Sequence, residues 1–240
     1  MPEDERTQAA DHLSVLERGS VEIVGRMPWS SNGTFLVECE LGDETLRAVY
    51  KPVRGERPLW DFDEGLYKRE VAAFVVSEGL GWKLVPETVV RVDAPFGPGS
   101  LQRFVEADFS EHYFTLVEDR SKHDRLRTIC AFDVVINSAD RKSGHCLLAD
   151  DGAIWAIDNG LSLHEEPKLR TVIWEFAGDA VPQSQVADLA RLAGEPPGEL
   201  CGLLEEGEVE AMCTRAARLA RSKRLPAPDS RRHHYPWPLV

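Results

Sequence analysis

Between Val21 and Val53 three β-rich runs, VEIVGRMPW, TFLVECEL and ETLRAVYKPV, follow one another with only SSNG and GDE between them. Breaks this short leave no room for a crossover, so the runs are expected to pair as consecutive antiparallel strands. The chain therefore opens on a small sheet.

The following stretch, EGLYKREVAAFVVSEGL, sets Leu66, Val71, Phe74, Val75 and Leu80 near helical spacing, and Gly79 and Gly81 supply a stop. Two further apolar runs, ETVVRVDA and SLQRFVEA, flank the turn-rich PFGPGS and complete a compact unit to about Ala107. Beyond it the pattern changes. A helical stripe runs through Leu126, Ile129, Phe132 and Val135, CLLADDGAIWAID reads as a hairpin turning at Asp151 and Gly152, and helices are expected around 185–193 and 207–221. The expected fold class is α+β in two lobes: a β-rich N-lobe over about 12–107, a mainly helical C-lobe over about 108–225, and a basic tail over 226–240.

A chain of 240 residues with 42% hydrophobic content buries an ordinary core, either as one domain or as two closely packed lobes. With 28 basic against 41 acidic residues its formal charge of −13 repels nucleic acid and anionic membrane, so neither is an expected partner. No run of eighteen apolar residues occurs, and the polar opening MPEDERTQAADH is unlike a secretory signal, so a cytoplasmic monomer without stable membrane association is expected. Cys39, Cys130, Cys146, Cys201 and Cys213 form no close pair and leave one over, which suits reduced thiols buried in a core.

Several short motifs together suit phosphoryl transfer, which needs a phosphate cradle, a cation at the phosphates, metal-binding carboxylates and a group that orients the acceptor. Ser30, Ser31, Asn32, Gly33 and Thr34 lie between two expected strands, where a small-residue turn lets backbone N–H groups approach phosphate or simply closes a hairpin. Lys51 ends a β-run and either turns its ammonium into a cleft or snorkels to water. Glu70, on the next helix, is a candidate partner for that ammonium. In the second half, DVVINSADRKSGHCLL places Asp140 after an apolar helix, and IDNGL places Asp158 at the end of a hairpin strand. Two carboxylates at the ends of adjacent elements can share one metal-phosphate site.

In order, SSNGTF, AVYKPV, LVPETVV with SLQRFVE, NSADRKSGH and IDNGLSLH resemble the motifs of the phosphatidylinositol 3/4-kinase superfamily. The type II phosphatidylinositol 4-kinases resemble them most closely; related cores occur in bacterial HipA-like kinases and in small actinobacterial kinase-like proteins. The resemblance covers about residues 27–182. It implies that Ser30 to Thr34 bind phosphate, that Lys51 contacts the phosphates with Glu70 as its partner, and that Gln102, Phe104 and Val105 belong to an adenine hinge. It further implies that Asp140 is the catalytic aspartate, that Asp158 chelates metal, and that ATP and Mg²⁺ or Mn²⁺ are the cofactors.

Two departures from the family pattern carry expectations of their own. Where the family has a metal-binding asparagine this chain has His145, a candidate metal ligand with Asp158, and an imidazole in that position predicts either a preference for Mn²⁺ over Mg²⁺ or weak activity. Where type II lipid kinases carry an acylated cysteine-rich segment this chain has VEDRSKHDRLRT, which points away from a phosphoinositide and toward a protein, the chain itself or a soluble small molecule as acceptor. A nucleotide-binding pseudokinase, a lipid kinase and a nucleotidyl transferase stand as alternatives. The tail RRHHYPWPLV adds two candidate autophosphorylation sites, His233 and His234, and is otherwise expected to pack Tyr235 and Trp237 against the domain or to stay partly disordered.

Overall fold

The structure is a computed structural model that describes residues 12–28, 32–229, 231 and 233–240. It divides into two compact units, one formed by residues 1–71 with 86–105 and the other by 72–85 with 106–240.

The first unit is built on five antiparallel strands, β1 (Ser20–Arg26), β2 (Phe35–Leu41), β3 (Glu44–Pro52), β4 (Thr88–Arg91) and β5 (Gly99–Arg103), in the order β1-β2-β3-β5-β4. The short breaks do produce hairpins, with Val37 opposite Ala48 and Cys39 opposite Leu46 across β2 and β3. Alternation puts Val37 and Cys39 of β2, Ala48 and Tyr50 of β3, Val89 of β4 and Leu101 of β5 on the covered face. Val15 and Leu16 of a helical segment over 12–18 close that core. Arg91, itself buried, donates from Nη1 to the carbonyls of Leu16 (2.8 Å) and Gly19 (3.0 Å), satisfying acceptors at the end of that segment.

Helix α1 (Leu66–Leu80) leaves the first unit at Val71 and continues in the second. Its start is fixed by Glu56, whose carboxylate accepts from the backbone N–H groups of Gly65 and Tyr67, each at 2.9 Å. The second unit adds α2 (Tyr113–Leu116), α3 (His123–Ile136), the hairpin β6 (Cys146–Leu148) and β7 (Ile154–Ala156), α4 (Gln183–Gly194) and α5 (Glu206–Ser222). Ala72, Val76 and Leu80 of α1 join Leu126, Ile129 and Phe132 of α3 and Met212, Ala216 and Leu219 of α5 in one core. Both late helices lie where their apolar periodicity placed them, and the β6–β7 hairpin turns at Asp151 and Gly152, the latter with φ +83°.

Of the cysteines, Cys39, Cys130 and Cys146 are buried as expected, whereas Cys201 is exposed and Cys213 half-buried; all are free. Burial pushes the Cys39 thiol up to about 11 and Cys146 up to about 12, which removes both as thiolate nucleophiles at neutral pH. Among the described residues no helix is long and apolar enough to cross a membrane.

Candidate functional site

In the first unit Lys51 and Glu70 form a hydrogen-bonded ion pair. The pair arises because Lys51 sits at the end of β3, opposite Ser100 of β5, with its ammonium turned toward α1 and only 23% exposed, while Glu70 is 4% exposed. A carboxylate that deeply buried needs a cation beside it. The backbones of β3 and β5 approach closely at this point, since a Cβ on Gly99 would lie 2.4 Å from the Lys51 carbonyl oxygen.

Ser30 and Ser31 of the candidate phosphate loop lie outside the described residues. Among the described residues of this connection, Gly33 donates its N–H to the Gly55 carbonyl at 2.9 Å, against the turn Val53–Gly55 that follows β3. A Cβ on Gly55 would meet the Gly33 carbonyl oxygen at 2.6 Å, so the two glycines let one loop lie directly on the other. Of the candidate hinge residues, Gln102 is buried and donates its side-chain amide to Thr88 Oγ1 at 2.9 Å, so that amide serves the sheet. Phe104 donates its N–H to Arg47 at 2.9 Å, and the chain passes into the second unit just after Val105.

In the second unit the decisive group lies inside the NSADRKSGH motif, where sequence reasoning assigned it no role. Arg141 is fully buried and donates from Nε to Asp133 Oδ1 (2.9 Å), from Nη1 to the Ile157 carbonyl (2.6 Å) and from Nη2 to Asn159 Oδ1 (2.7 Å). The other oxygen of Asp133 accepts from Thr171 Oγ1 at 2.9 Å. Burial alone would lower the Arg141 pKa, but the charge and hydrogen bond of Asp133 together with the neighbouring Cys146 and Asp158 raise it and hold the guanidinium charged. One side chain thus ties α3, the loop after it and the segment after β7 together, and those last two pieces carry Asp140 and Asp158. Asn137 adds a second clamp: in the left-handed region at φ +54°, it donates to the carbonyls of His164 (3.0 Å) and Glu166 (2.7 Å).

On this frame Asp140 Oδ2 lies 3.1 Å from Lys142 Nζ. Burial pushes the Asp140 carboxyl above its ordinary value; Lys142 and Arg170 pull it down, and the charge of Asp158 pushes it up. A carboxyl perturbed by burial and by specific charged neighbours is what proton transfer near neutrality uses. Lys142 was missed in the motif, although its signal is plain, since residues two apart in an extended stretch face the same way. Asp158, half-exposed, is held at φ +57°, a conformation unfavourable for a residue with a Cβ and characteristic of constrained sites.

His145 Nε2 lies 3.2 Å from Asp158 Oδ2. The Lys142 N–H donates to His145 Nδ1 at 3.4 Å, so the neutral ring carries its proton on Nε2 and presents it to Asp158. A histidine that ligates metal through Nε2 turns its Nδ1–H toward an acceptor, and here Nδ1 faces a donor. Asp158 therefore fits a hard divalent cation, while His145 fits the part of the group that orients Asp158. Among the described residues no set of three or more His, Cys, Asp or Glu could hold a metal by itself.

His233 is exposed, and His234 packs edge-on against the Trp174 ring, with centroids 6.0 Å apart. The expected packing of Tyr235 and Trp237 against the domain is not found, because they are 50% and 88% exposed; the segment is attached through the His234 ring and through the His234 and Leu239 carbonyls.

No protein-family model matches the chain. The Mycobacterium tuberculosis protein Rv2133c is 39% identical to it, and the match covers 95% of each chain. The chain belongs to the Rv2133c family. Among solved structures, hydra Fam20 with sugar is similar with a TM-score of 0.59 at 12% identity, covering 91% of this chain and 89% of that one. The Helicobacter pylori proinflammatory kinase CtkA matches over 88% of this chain and 94% of its own, at 12% identity and a TM-score of 0.49. The likeness to Fam20 gives this member of the Rv2133c family a kinase-like fold, with a β-sheet N-terminal region and a helical C-terminal region. It reaches no further than the fold, and in particular not to one class of lipid kinase.

Proposed function

We propose that this protein is an ATP-dependent phosphotransferase, an atypical kinase whose acceptor is a protein, the chain itself or a soluble small molecule. The observation that carries the reading is the buried Arg141, which suspends Asp140 and Asp158 from one frame with Asp133 behind it. The resemblance to phosphatidylinositol 3/4-kinase motifs supports the individual roles. Lys51, steadied by Glu70, would contact the ATP phosphates, and the Asn32 to Thr34 backbone would lie over them. Phe104 and Val105 would serve the adenine.

Asp158 would hold Mg²⁺ or Mn²⁺, and the cation would neutralise charge on the phosphates. The acceptor O–H attacks the γ-phosphorus, the new O–P bond forms as the bridging Pγ–O bond breaks, ADP leaves, and the proton passes to the Asp140 carboxylate. Lys142, 3.1 Å from that carboxylate, holds it in place and opposes the rise that burial gives its pKa. Positioning and charge supply most of the rate in such a reaction.

Product analysis tests this reading. ADP formed from ATP supports phosphoryl transfer, whereas pyrophosphate released with AMP joined to the acceptor replaces it by nucleotidyl transfer. A second reading is a nucleotide-binding pseudokinase, favoured by His145 in place of the asparagine that binds metal in the related motif. It requires nucleotide binding with neither product.

A further inference from the structure

Residues 170–172 run beside the loop that carries Asp140 and pair with it in parallel. Arg170 donates its N–H to the Ser138 carbonyl at 2.8 Å, while Arg141 donates to the Arg170 carbonyl and Val172 to the Arg141 carbonyl, each at 3.1 Å. Backbone groups of successive residues in such a stretch face opposite sides. Arg170 and Val172 therefore serve the loop, and Thr171 between them turns its N–H outward, where it meets the His234 carbonyl at 3.1 Å.

The same carbonyl takes a second donor. The Trp174 indole N–H reaches it at 3.0 Å, and the His234 ring stands edge-on to the Trp174 ring at an interplanar angle of 84°. A carbonyl oxygen has two lone pairs, and two donors converge on this one. His234 is thus one fixed point that closes on both the outer edge of 170–172 and the indole of Trp174. Beyond it the chain bends at Tyr235, Trp237 and Pro238, buries Pro236, and returns to the far end of the same loop. There the Leu239 carbonyl accepts the Ser143 N–H at 2.9 Å.

What these contacts hold is the support of Asp140. Thr171 and Ser143 are 1% and 0% exposed, and an amide in so buried a residue needs an acceptor. Thr171 Oγ1 also bonds Asp133, the partner of Arg141, at 2.9 Å, and Arg170 Nε bonds the Ala139 carbonyl, next to Asp140, at 2.7 Å. A shift of His234 would release the outer edge of the segment from which the loop hangs.

We propose that His234 is a positioning residue: acting through Thr171 and the 170–172 segment, it steadies the loop that presents Asp140, so the C-terminal residues are a working part of the site. The role in turnover rests on the kinase reading; the support of the loop rests on the contacts alone.

His234→Gly in the full-length protein tests this, because it removes the ring that rests on Trp174 and loosens the backbone that carries the carbonyl. ATP turnover should fall about tenfold in kcat with KM for ATP within about twofold, since the loop and not the nucleotide is displaced. His234→Phe, which keeps a ring on Trp174, should recover most of that loss. Hydrogen exchange in 138–145 and 170–174 of His234→Gly should be at least about fivefold faster, with α3 and α5 unchanged. A kcat and a loop exchange indifferent to His234→Gly overturn the proposal. A kcat that rises also overturns it, because the tail would then be inhibitory, and so does a loss that His234→Phe shares in full. Faster loop exchange in a protein that turns over no ATP would support the loop's dependence on His234 and remove only the kinase reading.

Discussion

Asp133 on α3 and Arg141 in the loop behind it meet at 2.9 Å with neither side chain exposed. The pair is the internal support of the loop that carries Asp140, because the same guanidinium also holds the Ile157 carbonyl and Asn159 on either side of Asp158. Removing one member of such a pair leaves the other as a buried, uncompensated charge. Arg141→Met should therefore cost roughly 3–5 kcal/mol of unfolding free energy, measured by urea titration. A loss below about 1 kcal/mol would show that the pair does not support the loop.

The Lys51–Glu70 pair predicts a coupling. Lys51→Met and Glu70→Gln, made singly and together, should show an interaction energy of about 1–3 kcal/mol in nucleotide binding measured by calorimetry. Strictly additive effects would mean that the two side chains act separately.

The crossing of Gly33 over Gly55 leaves no space for a methyl group at Gly55, 2.6 Å from a backbone oxygen, whereas a Cβ at Gly144 meets nothing within 4 Å. Gly55→Ala should destabilise the protein by about 1–3 kcal/mol and weaken ATP binding. Gly144→Ala should change stability by under about 0.5 kcal/mol, and thermal melts of both variants check the contrast.

The pH dependence follows from Asp140. Burial raises its pKa in the folded protein, so the group must lose its proton at a higher pH than an exposed aspartate before it can accept one. Activity should rise with pH on the acid limb as Asp140 ionises. Lys142 opposes the raising, so Lys142→Met should move that limb to higher pH, and an unmoved limb in the kcat profile would exclude Asp140 as the titrating base. The sign for stability is the reverse of the usual carboxylate case. A raised folded pKa means that the native state holds its proton longer than the unfolded one, so this residue's contribution falls as pH rises between the two values.

The metal preference separates two positions for His145. With its Nε2–H directed at Asp158, Mg²⁺ and Mn²⁺ should support turnover alike, and His145→Asn should weaken apparent metal affinity by about 10–100-fold for both ions. A strong Mn²⁺ preference that His145→Asn abolishes would place the ring in the coordination sphere, as the sequence motif suggested.

The sheet, α1, α3, the β6–β7 hairpin and the two late helices were legible because each rests on local periodicity and turn residues. Lys51 with Glu70 and His145 with Asp158 were reached through motif order, and the structure brings the members of each pair together. Asp133 was not legible as a functional partner. It stands in AFDVVI, among mostly buried residues, and a lone carboxylate there should have prompted a search for a buried cation, with Arg141 eight residues on. The engagement of Gln102 with Thr88 and the tail's main-chain contacts depend on tertiary register, which short-range patterns do not encode.

The central claim is that Asp140 and Asp158 direct transfer of the γ-phosphate, and incubation with γ-labelled ATP and Mg²⁺ or Mn²⁺ tests it most directly. The account predicts label leaving ATP in the wild type, with turnover reduced at least about a hundredfold in both Asp140→Ala and Asp158→Ala while their melting transitions stay cooperative. ATP that binds but is never consumed by the wild type, or turnover that survives both substitutions, would contradict it.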